Sequence, residues 1–104
     1  MRIALILGAL SFAYGATPEQ QSEHSYVPPN GFVPDSATAV RIAVAVWMPI
    51  YGSRQIASER PFVARLEDSA WTVTGTLPPG YVGGTALARI GKRDGRILLV
   101  THGR

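Results

Sequence analysis

A chain that makes or breaks bonds needs a nucleophile, a metal site or a pair of proton-transfer groups, and this sequence is poor in all three. It has no cysteine and two histidines, His24 and His102. That excludes a thiol nucleophile, a thiolate metal site, a disulfide and a lipid-anchoring cysteine. One histidine falls in a proline-bearing polar stretch and the other at a strand end, so no metal ligand set is predicted. No Gly-x-Ser-x-Gly elbow or His-Glu-x-x-His pair occurs, and Gly80-x-x-Gly83-Gly84 lacks the lysine and following helix of a phosphate loop. The seven carboxylates are Glu19 and Glu23 in the polar stretch, Asp35 as a cap, Glu59 in a short segment, and Glu67, Asp68 and Asp94 in turns. None is predicted beside an apolar wall, where a raised pKa would make a general acid. His102 is the one titratable side chain predicted near an inner face, and no orienting carboxylate is evident for it. The expectation is no catalytic residue, no metal and no cofactor.

Lysine and arginine total 10 against 7 acids, a formal net charge of +3. The basic side chains are too scattered for a nucleic-acid stripe, and the balance points to a partner that is acidic where it makes contact.

The elements that would position these groups are legible. At 104 residues the chain holds one domain at most. Residues 1–15 read as a signal peptide: Met1-Arg2 as the charged start, Ile3 to Phe12 as the apolar run, Ala13-Tyr14-Gly15 as the cleavage site, with cleavage after Gly15. The apolar run falls short of the roughly 20 residues that span a bilayer, so export, to the periplasm, is expected with no stable membrane span afterwards. Residues 16–33 are polar and aperiodic, with Pro28-Pro29-Asn30-Gly31 as a turn, and read as a flexible tether partly ordered by Tyr26 or Phe32. Residues 34–104 are the folded domain.

That domain opens with an amphipathic helix from Asp35 to Gly52. Val40, Ala43, Val44, Trp47 and Tyr51 share one arc at 100° per residue. Asp35 is the predicted N-cap, Pro49 bends or ends the last turn, and Gly52 stops it. The opposite face carries Thr38, Arg41, Ile42, Ala45 and Pro49, greasy for a solvated helix. Ser53 to Glu59 makes a short helical segment. Phe62 to Glu67 and Trp71 to Leu77 alternate with period two around an Asp68-Ser69 turn, and Gly75 leaves a gap into which Trp47 or Tyr51 fits. Gly83-Gly84 suggests a bulge before Thr85 to Ile90, Asp94-Gly95 is a hairpin turn, and Arg96 to His102 is the last strand. Its Ile97-Leu98-Leu99-Val100 is apolar on both faces, as in a strand covered on both sides.

The predicted architecture is α+β: one long helix and a short helical turn on one face of a curved four-strand antiparallel meander. Val40, Val44, Trp47, Tyr51, Trp71, Val73, Ile90 and Val100 form its expected core. The other sheet face shows Val63, Leu99 and a mixed set of Arg65, Thr72, Thr74, Leu87 and Arg89. Those five are the candidate partner-binding residues, because arginine beside exposed aliphatics is the makeup of an interface.

Six blocks in order carry a family resemblance: Trp47-Met48-Pro49-Ile50-Tyr51-Gly52, Arg60-Pro61-Phe62, Trp71 to Pro78, Gly83-Gly84, Asp94-Gly95-Arg96-Ile97 and Thr101-His102-Gly103. Together they resemble the bacterial immunity proteins of the nuclear transport factor 2 fold, found beside polymorphic toxins. The resemblance covers Val33 to Arg104. It implies a reduced helix-plus-sheet cone and a non-enzymatic protein that neutralises a cognate antibacterial toxin by stoichiometric binding, in competition between bacteria. Two alternatives stand beside it. One is a small-molecule-binding module or enzyme with a pocket between helix and sheet, which a deep cavity lined by His102 with a carboxylate within hydrogen-bond reach would favour. The other is a homodimer that hides the outer helix face around Ile42 and Ala45.

Overall fold

The computed structural model describes residues 25–103; the signal peptide and the first part of the tether lie outside them. The elements are α1 (Ser36–Tyr51), α2 (Ser53–Ala57), β1 (Val63–Glu67), β2 (Ala70–Thr74), β3 (Ala86–Gly91) and β4 (Ile97–His102). The strands form one antiparallel sheet in the order β1-β2-β3-β4. With one long helix and one short helix packed against that meander, the fold is α+β as expected.

Helix α1 starts where the Asp35 side chain accepts from the Thr38 amide at 2.8 Å and from the Thr38 hydroxyl at 2.7 Å, relieving a free first-turn donor. Pro49 lies within the last turn, and Gly52, at φ 90°, closes it with its amide on the Met48 carbonyl. The buried stripe is Ala39, Ala43 and Trp47, all fully buried. The core-facing arc is thus rotated toward Ala39 relative to the sequence reading. Val40, Val44 and Tyr51 flank the stripe half-buried, and Ile42, expected outside, also packs on the core.

Small residues explain the rotation. One transverse row of the inner sheet face is Ala64, Val73, Ala88 and Val100, and Ala86 beside it is fully buried. Alanines opposite alanines let the helix come close, which leaves a wide slot for one large ring. Trp47 fills it, its ring centroid 5.7 Å from that of Phe62. Trp71, Val73 and Ile90 complete the core as expected, with Val100 half-buried at its margin. Trp71 donates its indole N–H to the buried Val33 carbonyl at 2.8 Å. It is therefore Val33 that docks: its amide and that of Phe32 donate to the Lys92 and Arg93 carbonyls, while Tyr26 is 69% and Phe32 49% exposed.

The last strand departs from expectation. β4 is an edge strand, and α1 packs on β1, β2 and β3. Ile97, Leu98 and Leu99 are 40%, 50% and 48% exposed, so the apolar run is uncovered rather than sandwiched. The register irregularity falls between Arg89 and Ile90 against β4, not at Gly83-Gly84. β2 ends at Thr74, three residues before Leu77.

Candidate functional site

The five candidate partner-binding residues come from three strands, and the structure brings all of them onto the outer sheet face. Their pairing sets two transverse rows: Arg65, Thr72, Arg89 and Leu99 in one, Val63, Thr74, Leu87 and Thr101 in the other. Arg65 and Arg89 flank Thr72, two strand spacings or about 10 Å apart. The Thr72 hydroxyl donates to the Glu67 carboxylate at 2.8 Å, which occupies the nearest acid on that face. Among the described residues neither arginine makes a salt bridge, and the Arg89 Nε–H is buried with no acceptor. Val63 at 45% and Leu99 at 48% exposed give the basic row aliphatic flanks. This face can hold carboxylates between two guanidinium groups and pack apolar side chains beside them.

The second charged place contradicts the sequence reading. Glu59, expected in the short segment and not at an inward position, is 2% exposed, and it supplies the carboxylate that was not evident for His102. The His102 Nε2 lies 2.8 Å from Glu59 Oε2, and its Nδ1 lies 2.7 Å from the Gly103 carbonyl. Gln55 donates its amide to Oε2 at 2.8 Å, and the Ala86 backbone N–H donates to Oε1 at 2.7 Å. The Tyr51 ring packs on His102 at 5.0 Å. Burial raises the Glu59 pKa, but the hydrogen bonds from Gln55, Ala86 and His102 outweigh it and hold the carboxyl below its ordinary 4.5. The bond to Glu59 and then that to the Gly103 carbonyl lift His102 above 6.5.

Both ring nitrogens of His102 face acceptors, so the ring that satisfies them is an imidazolium donating twice, with no lone pair left to take a proton. A deep cavity lined by His102 with a carboxylate in reach is the sign that would favour a pocket enzyme; the carboxylate is there, and the pair is a clamp joining the end of the α2 segment, the first residue of β3 and the last of β4. Gly75 belongs to the clamp. A Cβ there would collide with the Glu59 side chain, so Glu59, not Trp47 or Tyr51, fills the gap in the pleat. Among the described residues no three His, Cys, Asp or Glu converge as a metal site, and no helix is long and apolar enough to cross a membrane.

Comparisons with known proteins point to one family. Residues 38–104 match the family model described as an NTF2 fold immunity protein. An uncharacterised protein of Escherichia coli (strain K12), YhhH, is 33% identical over 85 residues, covering 81% of this chain and 66% of that protein. The matched stretch is thus just under two thirds of that relative's own length. No solved structure gives a significant match.

Proposed function

The chain belongs to the NTF2-fold immunity proteins, and from that premise we propose that it is an exported immunity protein. It captures a cognate antibacterial toxin of a polymorphic toxin system, one to one and without catalysis, through the outer face of its sheet. The observation that carries this reading is the unpaired Arg65–Thr72–Arg89 row with its aliphatic flanks. Two guanidinium groups flank Thr72 and neither is ion-paired among the described residues, an arrangement that suits an acidic partner surface. The one buried acid–base pair among the described residues, by contrast, is saturated by its own hydrogen bonds. The signal segment at residues 1–15 directs this protein to the periplasm, where a toxin acting in the envelope would be met.

Competition between siblings tests it. Cells lacking this chain are expected to die when mixed with their parent and to survive when the wild-type gene is restored. The double reversal Arg65→Glu/Arg89→Glu should fold normally and fail to rescue. Full rescue by the double variant would show that the sheet face is not the contact surface.

A further inference from the structure

The three hairpin connections differ in a way the fold does not require. Two residues join β1 to β2 and five join β3 to β4, whereas residues 75–85, eleven of them, join β2 to β3. Hairpins need about two to five, and longer excursions on a rigid scaffold are where binding residues collect.

This excursion carries no charged residue: Gly75-Thr76-Leu77-Pro78-Pro79-Gly80-Tyr81-Val82-Gly83-Gly84-Thr85. At its tip Tyr81 is 70% and Val82 96% exposed, the most open large apolar side chains among the described residues. The tip is nevertheless built. The Tyr81 amide donates to the Pro78 carbonyl at 3.1 Å, and Gly80 has φ 82°. A bond from residue four to residue one, proline second and a positive φ at the third residue define a type II turn. The base is fixed as firmly. Thr76 donates its amide to the Glu59 carbonyl at 2.7 Å, Gly75 to Ala86 at 3.1 Å, and Gly103 to Thr85 at 3.1 Å. The Glu59 carboxylate holds the Ala86 amide from below. Beside the tip runs an open groove walled by Leu77, Pro78 and Tyr81, with Gln55, Ser58 and Glu59 along its polar side.

We propose that Tyr81 and Val82 form a preformed anchor that enters an apolar cleft of the protein toxin, separate from the arginine row. The proposal rests on the immunity reading above and adds where and by what chemistry the partner is gripped. Tyrosine is among the residue types that dominate binding energy at interfaces, and two prolines with a hydrogen-bonded turn leave little entropy to lose on docking. A lipid surface is the poorer occupant, because the loop has no lysine or arginine to meet anionic headgroups.

The competition assay, run with full-length chains, separates the outcomes. Tyr81→Ser/Val82→Ser removes the anchor, and Gly80→Ala puts a Cβ at positive φ and tilts the tip while leaving it apolar. Tyr81 and Val82 are exposed, so thermal melting of the serine variant should stay near wild type, whereas Gly80→Ala should melt lower because its Cβ is strained at φ 82°. The first variant should lower survival of the complemented cells at least tenfold, and the second by a smaller factor. Wild-type survival with the double serine variant, while Arg65→Glu/Arg89→Glu fails to rescue, overturns the anchor and leaves the immunity reading intact. Failure of the wild-type gene to rescue overturns both. Sedimentation with phosphatidylglycerol–phosphatidylcholine vesicles covers the remaining occupant. Binding that the serine variant abolishes would assign the loop to a lipid surface and overturn the proposal.

Discussion

Charge is held in two opposite ways on the two sides of this sheet. On the helix side Glu59, the single buried acid among the described residues, receives a backbone amide, a glutamine amide and a histidine ring. On the outer side Arg65 and Arg89 stand about 10 Å apart, and neither has a carboxylate partner among the described residues. A buried carboxylate must be satisfied by its own chain, because no solvent reaches it. The exposed Arg65 is satisfied by water until something better arrives, and the half-buried Arg89 keeps one N–H without an acceptor. The first arrangement therefore fixes the structure, and the second leaves chemistry available to a partner.

Breaking the sealed side should have the largest effect. Glu59→Ala leaves the buried Ala86 N–H without its acceptor and His102 without its carboxylate, and an unsatisfied buried donor costs about 1–3 kcal/mol. At 4–8 °C per kcal/mol for a domain of this size, the melting temperature should fall by at least about 4 °C. A fall of only a degree or two on calorimetry would mean that the pair is incidental. Glu59→Gln, which keeps the acceptor oxygen but not the charge, should lose less.

The open side should answer in the reverse sense. Arg65→Glu should leave stability within about 0.5 kcal/mol, and Arg65→Glu/Arg89→Glu should still fold, yet weaken toxin capture by about 2 kcal/mol or more per anchor residue. Titration of purified partners reads the second quantity, and denaturant melts read the first. A variant that unfolds, or one that binds normally, would erase the contrast between the two sides.

Arg89→Met sharpens the contrast further. The methionine keeps the apolar stem that packs on the sheet and removes a buried N–H with no acceptor. Leaving a donor unsatisfied is costly, so stability should hold or rise, by up to about 1 kcal/mol, while capture weakens. Marked destabilisation would show that the guanidinium has a structural role after all.

The two sides also differ in how far the sequence discloses them. Period-two alternation placed Arg65, Thr72, Thr74, Leu87 and Arg89 on one face, and the pairing of the strands puts them there. The helix and its caps at Asp35 and Gly52 were legible for the same reason: each depends on neighbours within a few residues. The clamp was not. Glu59 and His102 are 43 positions apart, and nothing local marks Glu59 as buried. The one cue was Gly75, whose missing side chain makes the room Glu59 occupies. The exposure of β4 was hidden for a related reason. Its apolar run reads as doubly covered, and only the sheet order, with a helix reaching no farther than β3, makes it an edge.

The smallest effect, and the most specific to the sealed side, is the response to pH. The folded pKa of His102 lies above its ordinary 6.5. Its contribution to stability is therefore whole below about pH 6.5 and is lost as the pH rises through the raised folded value. Glu59 titrates below its ordinary 4.5 when folded. Its contribution is whole above about pH 4.5 and is lost as the pH falls through the lowered value. The pair should give a plateau between these limits with a decline on each side. His102→Asn should flatten the alkaline decline, and Glu59→Gln should flatten both. The quantity compared is wild type minus variant at each pH. Melting temperatures from pH 4 to 9 measure that difference. A curve for His102→Asn parallel to wild type above pH 6.5 would mean that His102 is neutral in the folded protein, leaving Glu59 as a buried anion held by amides alone.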